Sequence, residues 1–135
     1  MGVYEIEEAV ETTPSRLLKQ WRAELLVSGL PLNAHTNAYA NALLVKSGPG
    51  VLFGFSGYSS NATGQFIQVH DSATVPADGA APVMVISLGT AASNFSAYFA
   101  LPGRTFLYGI VLCNSSTAAT KTVGSADTWF DAQFI

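Results

Sequence analysis

The sequence predicts an all-β fold: an eight-stranded antiparallel β-sandwich of the jelly-roll kind, preceded by an N-terminal arm. Three observations lead there. Short apolar runs recur through residues 17–135, punctuated by turns of Gly, Pro, Asn and Ser. Within many runs apolar residues alternate with a period of two, which is the strand period. The third is the distribution of charge. Charged residues are 11% of the 135, under half of the roughly 25% usual in globular domains. Eight of the fifteen lie in residues 1–24, and the other 111 residues hold only seven, with no glutamate. A body so poor in charge stays in water through Ser, Thr, Asn and Gln, and is expected to cover much of its surface with other chains. At this length one core suffices, without disulfide or metal support.

Residues 1–16, MGVYEIEEAVETTPSR, read as the arm. Val3, Tyr4, Ile6 and Val10 are scattered among four glutamates, too few to build a core. The segment is either a frayed terminus or a peptide that orders on a partner through those anchors. Thr13-Pro14 also suits a helix start, as N-cap and first helical position. Residues 17–135 form the domain. Leu17, Leu18, Trp21 and Leu25 fit a helical face, but Trp21, Ala23, Leu25 and Val27 fit a strand better, ending at Ser28-Gly29. Leu30 to Thr36, with Pro31, Asn33 and His35, reads as a loop.

Ala38 to Lys46 is the second strand, with Ala42 and Leu44 opposed to Leu43 and Val45. After the Ser47–Gly50 turn, Val51, Phe53 and Phe55 share a face. Phe66 to His70 points Ile67 and Val69 inward, and Asp71 to Pro82 is a polar loop. Val83 to Leu88 is apolar on both faces. Phe95, Ala97, Phe99 and Leu101 share a face up to the Pro102-Gly103 turn. Thr105 to Cys113 is apolar on both faces and calls for cover on both sides. Asn114-Ser115-Ser116-Thr117 stops it, because side-chain oxygens compete for backbone donors. Asp127 to Phe134 sets Phe130, Ala132 and Phe134 against Trp129, Asp131 and Gln133, closing a β-hairpin or β-arch.

Chemistry is sparse. The net charge is −3 and no basic stripe exists to displace counterions from phosphates, so nucleic acid is not an expected partner. Apolar runs are short, which argues against a helical membrane span. The acidic start differs from the basic-then-apolar start of a signal peptide. Cys113 lies in an apolar strand and reads as a buried hydrophobe. His35 and His70 lack companion ligands for zinc, and His70-Asp71 reads as a surface turn. Asp71 and Asp78-Gly79 lack the ligand spacing of a calcium loop. Phe55-Ser56-Gly57 and Ile86-Ser87-Leu88-Gly89 each miss a glycine of the nucleophile elbow. A glycosidase pair would have to come from Asp71, Asp78, Asp127 and Asp131. The expectation is no catalytic residue, no cofactor and no metal. Asn61-Ala62-Thr63, Asn94-Phe95-Ser96 and Asn114-Ser115-Ser116 match the glycosylation pattern and read as turn chemistry. Core packing accounts for most of the aromatics, but Tyr39, Tyr58, Tyr98 and Trp129, if exposed, suit stacking on sugar rings.

Several segments together resemble a family of small structural proteins of tailed bacteriophages and prophages. They are Gln65–Pro76 (QFIQVHDSATVP), Pro82-Val83, Phe95-Ser96, and above all Gly103-Arg104 followed by Gly109-Ile110-Val111 and Asn114–Thr122 (NSSTAATKT). The resemblance covers residues 38–135 and rests on turns and strands. It implies a jelly-roll virion protein without enzymatic activity, of the head cement or decoration kind, that clips capsomers together. The implied partners are the major capsid protein and copies of itself, as dimer or trimer, on the capsid exterior after assembly in the host cytoplasm. Val3, Tyr4, Ile6, Val10 and Arg16 of the arm are the candidate capsid-binding residues. The alternative is a tail, fibre or host-surface module that binds carbohydrate.

Overall fold

A computed structural model describes residues 31–135 of the chain. The arm residues Val3, Tyr4, Ile6, Val10 and Arg16 and the strand expected over Trp21–Val27 lie outside them. Leu32–Ile135 is one compact unit. Its strands are β1 (Leu32–His35), β2 (Ala42–Lys46), β3 (Gly50–Ser59), β4 (Phe66–Asp71), β5 (Met84–Ser87), β6 (Ser93–Tyr98), β7 (Arg104–Phe106), β8 (Ile110–Ser115) and β9 (Thr128–Phe134). No helix occurs among the described residues.

One sheet runs β1-β9-β3-β6, with the three-residue β7 also on β3, and the other runs β2-β8-β4-β5. Every pairing is antiparallel. β1 and β2 pair with β9 and β8, and β3 and β4 with β6 and β5. That is two nested hairpins rolled across two sheets, the jelly-roll arrangement, with β7 as an addition. Since β8 and β9 belong to different sheets, their connection is an arch.

Strand alternation delivers one face of each sheet to a shared core. The five-stranded sheet supplies Leu52, Phe55, Phe95, Phe106, Phe130 and Ala132. The other supplies Val45, Ile67, Val69, Ile110 and Leu112, joined by Leu88 just past β5. Rings on one side thus meet branched aliphatics on the other. Phe55–Phe95 and Phe95–Phe130 lie 6.3 and 6.1 Å apart, tilted and edge-on, the spacing at which ring quadrupoles attract.

Four expectations need correction. Leu32–His35 is a strand, not a loop: its few apolar residues give little local signal, and the β9 ladder organises it. On β3, a register shift between Leu52 and Gly54 puts Leu52 in phase with Phe55 in the core, so Val51, Phe53 and Phe55 do not alternate regularly. Thr105–Cys113 is two strands in two sheets. Between them the backbone N–H groups of Leu107, Tyr108 and Gly109 donate to the Asp71 carboxylate instead of a neighbouring strand. Finally, β8 continues through Asn114 and Ser115, both fully buried, and the turn starts at Ser116.

All six residues of β8 are buried. Its outward side is covered by a clasp of two loops. Gln68 Nε2 donates to the carbonyls of Thr117, Ala118 and Thr120 at 2.9–3.2 Å. Lys121, 6% exposed, donates to Pro76 O at 2.7 Å and lies 3.8 Å from Asp78. Backbone bonds Gly79 N–Lys121 O and Lys121 N–Ala80 O, and Val123 N to Asp78 Oδ1, lock the loops together. The connection from β5 to β6, by contrast, is exposed from Gly89 to Ala92.

Candidate functional site

The titratable residues singled out in the sequence are dispersed and mostly occupied by structural bonds. His70 is not in a surface turn: it is 2% exposed beneath the clasp. Its Nε2 faces Gln68 Oε1 at 3.0 Å, and because that oxygen only accepts, Nε2 carries the hydrogen. Cys113 is buried beside the same oxygen at 3.9 Å. Burial outweighs the opposing pull of Lys121 and, with a smaller push from the Asp78 charge, leaves its thiol pushed up to about 11. A thiol so hard to ionise is a poor nucleophile. Asp71 caps the β7–β8 crossing and Asp78 holds the clasp, so they converge on no common point. No group of three or more His, Cys, Asp or Glu placed to hold a metal occurs among the described residues.

Asp127 sits in an amide network at one end of the sandwich. Its oxygens accept from Asn61 Nδ2 and Asn114 Nδ2, both at 2.8 Å, and from the Thr128 hydroxyl at 2.9 Å. Gln65 joins through Ser59 Oγ. Asn114 is wholly buried and also donates to Ser125 O, so its glycosylation-like tripeptide is structural. Asn61 does belong to a turn, accepting from both the amide and the hydroxyl of Thr63. Ser56 lies within β3 and Ser87 ends β5. Neither occupies the sharp strand-to-helix turn of a nucleophile elbow.

What the fold does assemble is the outward face of the five-stranded sheet. Register places Tyr58 between Trp129 and Asn94, and Ser56 between Asp131 and Ser96. Gly54 lies between Gln133 and Tyr98. A depression of about 520 Å³ is lined by Ser56, Gly57, Tyr58, Asn94, Phe95, Ser96 and Trp129. Tyr39 leans on Trp129 with ring centroids 5.2 Å apart. Gly57 has no room for a side chain, since a Cβ there would meet the Trp129 carbonyl and the Phe95 ring. Trp129, Tyr58 and Tyr39 are 37%, 36% and 45% exposed, and Tyr98 is 82% exposed. All four aromatics named from the sequence as stacking candidates are therefore accessible on one side of the molecule. In the sequence Ser56 figures only as a near miss of the nucleophile elbow, and Asn94 and Ser96 only in a tripeptide read as turn chemistry; both in fact lie within β6, and none of the three is expected at a binding face. Their outward parity is visible in each strand, but only the topology makes β9, β3 and β6 neighbours.

No family model, no curated protein and no solved structure matches the chain.

Proposed function

We propose that the chain is a non-enzymatic structural protein of a tailed-phage virion, a cement or decoration protein that binds and stabilises the assembled head. The resemblance of residues 38–135 supplies the virion; the observation that supports an assembled role is the composition of the sheet margins. Among the described residues, β5 (Met84–Ser87) and β6 (Ser93–Tyr98) carry no charge and no proline. Val83 and Val85 are 41% and 38% exposed beside β5, and Leu107 and Tyr108 are 68% and 66% exposed at the crossing. Proteins that stay single blunt strand margins with lysine, proline or a covering segment. A margin left apolar suits pairing with another copy or with the major capsid protein, and a lattice of repeated sites turns weak contacts into firm attachment.

The test mixes the purified protein with undecorated heads and measures copies bound per particle and particle melting temperature. The intact chain is expected to bind and to raise the melting temperature. Deleting residues 1–16 is expected to reduce occupancy through loss of Val3, Tyr4, Ile6, Val10 and Arg16. Val85→Glu, whose side chain points outward, is expected to reduce it without unfolding the sandwich. Heads that bind no intact chain would sink the proposal.

A further inference from the structure

We propose that the Trp129–Tyr58–Tyr98 face is a binding site for a neutral oligosaccharide, with pyranose rings stacked on the aromatics and hydroxyls bonded to Ser56, Asn94, Ser96 and Asp131. This goes beyond the structural role and does not depend on it. Three features of the face lead to this ligand class.

The first is the pairing of ring faces with short polar groups. A pyranose offers an apolar C–H face and a rim of hydroxyls, so its receptor needs an exposed aromatic plane beside donors and acceptors. Here the indole, buttressed by Tyr39 at 5.2 Å, stands over a depression floored by Ser56, Asn94 and Ser96. Binding sites in general combine apolar walls with a few placed polar groups.

The second is charge. Asp131 is the acidic group on this face, with His35 opposite it on β1. No lysine or arginine lies on β1, β3, β6 or β9. Phosphate, nucleic acid and acidic peptides lack a counter-charge there, whereas a carboxylate accepts readily from sugar hydroxyls.

The third is extent. Tyr58 and Tyr98 mark two ends, the second beside Gly54, four residues from Tyr58 along β3. Four residues of strand span about 13 Å, the scale of a short oligosaccharide. A Cβ on Gly54 would sit 3.7 Å from the Tyr98 ring, so that ring flanks the strand just where the strand lacks a side chain.

The test titrates the full ¹⁵N-labelled chain with four neutral hexasaccharides: maltohexaose, cellohexaose, mannohexaose and chitohexaose. Saturable shifts of the Trp129 indole N–H and of the Ser56, Tyr58, Asn94 and Ser96 amides are expected with at least one. Trp129→Ala should weaken that binding about tenfold, the effect of about 1.4 kcal/mol of ring contact. Tyr98→Ala, at a position too exposed to affect folding, should weaken it about threefold. No shift with any hexasaccharide at about 10 mM, well above a millimolar dissociation constant, would overturn the assignment. So would binding that survives both substitutions, or shifts of this face caused only by capsid protein. Head occupancy is measured separately, so failure here leaves the structural proposal standing or falling on its own test.

Discussion

His70 holds its imidazole where a charge is poorly tolerated. Burial, and then the nearby Lys121 ammonium, lower its pKa below the ordinary 6.5, while a bond to the Ala81 backbone partly opposes them. The folded protein therefore binds this proton less readily than the unfolded chain. Its contribution to stability is complete above about 6.5 and is lost as pH falls through the lowered value. Asp71 acts in a separate, more acidic window. Partial desolvation raises its pKa, but the N–H groups of Tyr108, Leu107 and Gly109, helped by Arg104, outweigh that and hold it below the usual 3.8. Its contribution is present above that value and lost further down. His70→Gln is thus expected to flatten the loss of stability that sets in as pH falls below about 6.5 and to leave the separate, more acidic loss linked to Asp71 in place. Urea midpoints measured across pH check this, and an unchanged slope just below pH 6.5 would contradict it.

At the scale of elements, the chain passes between sheets at Leu107–Gly109, and that passage depends on one carboxylate and one glycine. A Cβ on Gly109 would collide with the carbonyls of Ser72 and Lys46. Gly109→Ala should therefore cost about 2 kcal/mol, as overpacking does, measured by chemical denaturation; a cost under about 0.5 kcal/mol would mean the crossing adapts freely. This passage also shows where sequence reading stops. Thr105–Cys113 alternates like one strand, and nothing local reveals that Asp71, far back in the chain, draws off three of its amide hydrogens. β1 is the converse case, a segment with weak strand character that β9 recruits. By contrast β9, β4 and the inward residues of β2 and β8 were legible, because hydrophobic alternation there agrees with the final burial. The exposed aromatics were legible as residue types. Their convergence was not, since it requires that β9, β3 and β6 be adjacent. His70 reads as a surface turn because its cover forms only when the loop that follows it is locked against the remote Thr117–Lys121 loop, with Lys121 buried there against the habit of lysines.

For the whole molecule, the two sheets are finished differently. The four-stranded sheet has the outward side of its central strands β8 and β4 covered by its own clasp, and the five-stranded sheet leaves its outward side uncovered by described residues. Nested, long-range pairing of this kind is slow to form, because distant segments must meet before the core can close. The contrast between the clasp and the exposed Gly89–Ala92 connection matters for anyone grafting a foreign epitope onto this protein. A ten-residue insert between Thr90 and Ala91 is expected to shift the melting temperature by no more than about 3 °C. The same insert between Ala119 and Thr120 would prise open the cover and leave Cys113 reactive toward a thiol reagent in the native state. If both inserts behaved alike, the clasp would be ornament instead of a seal.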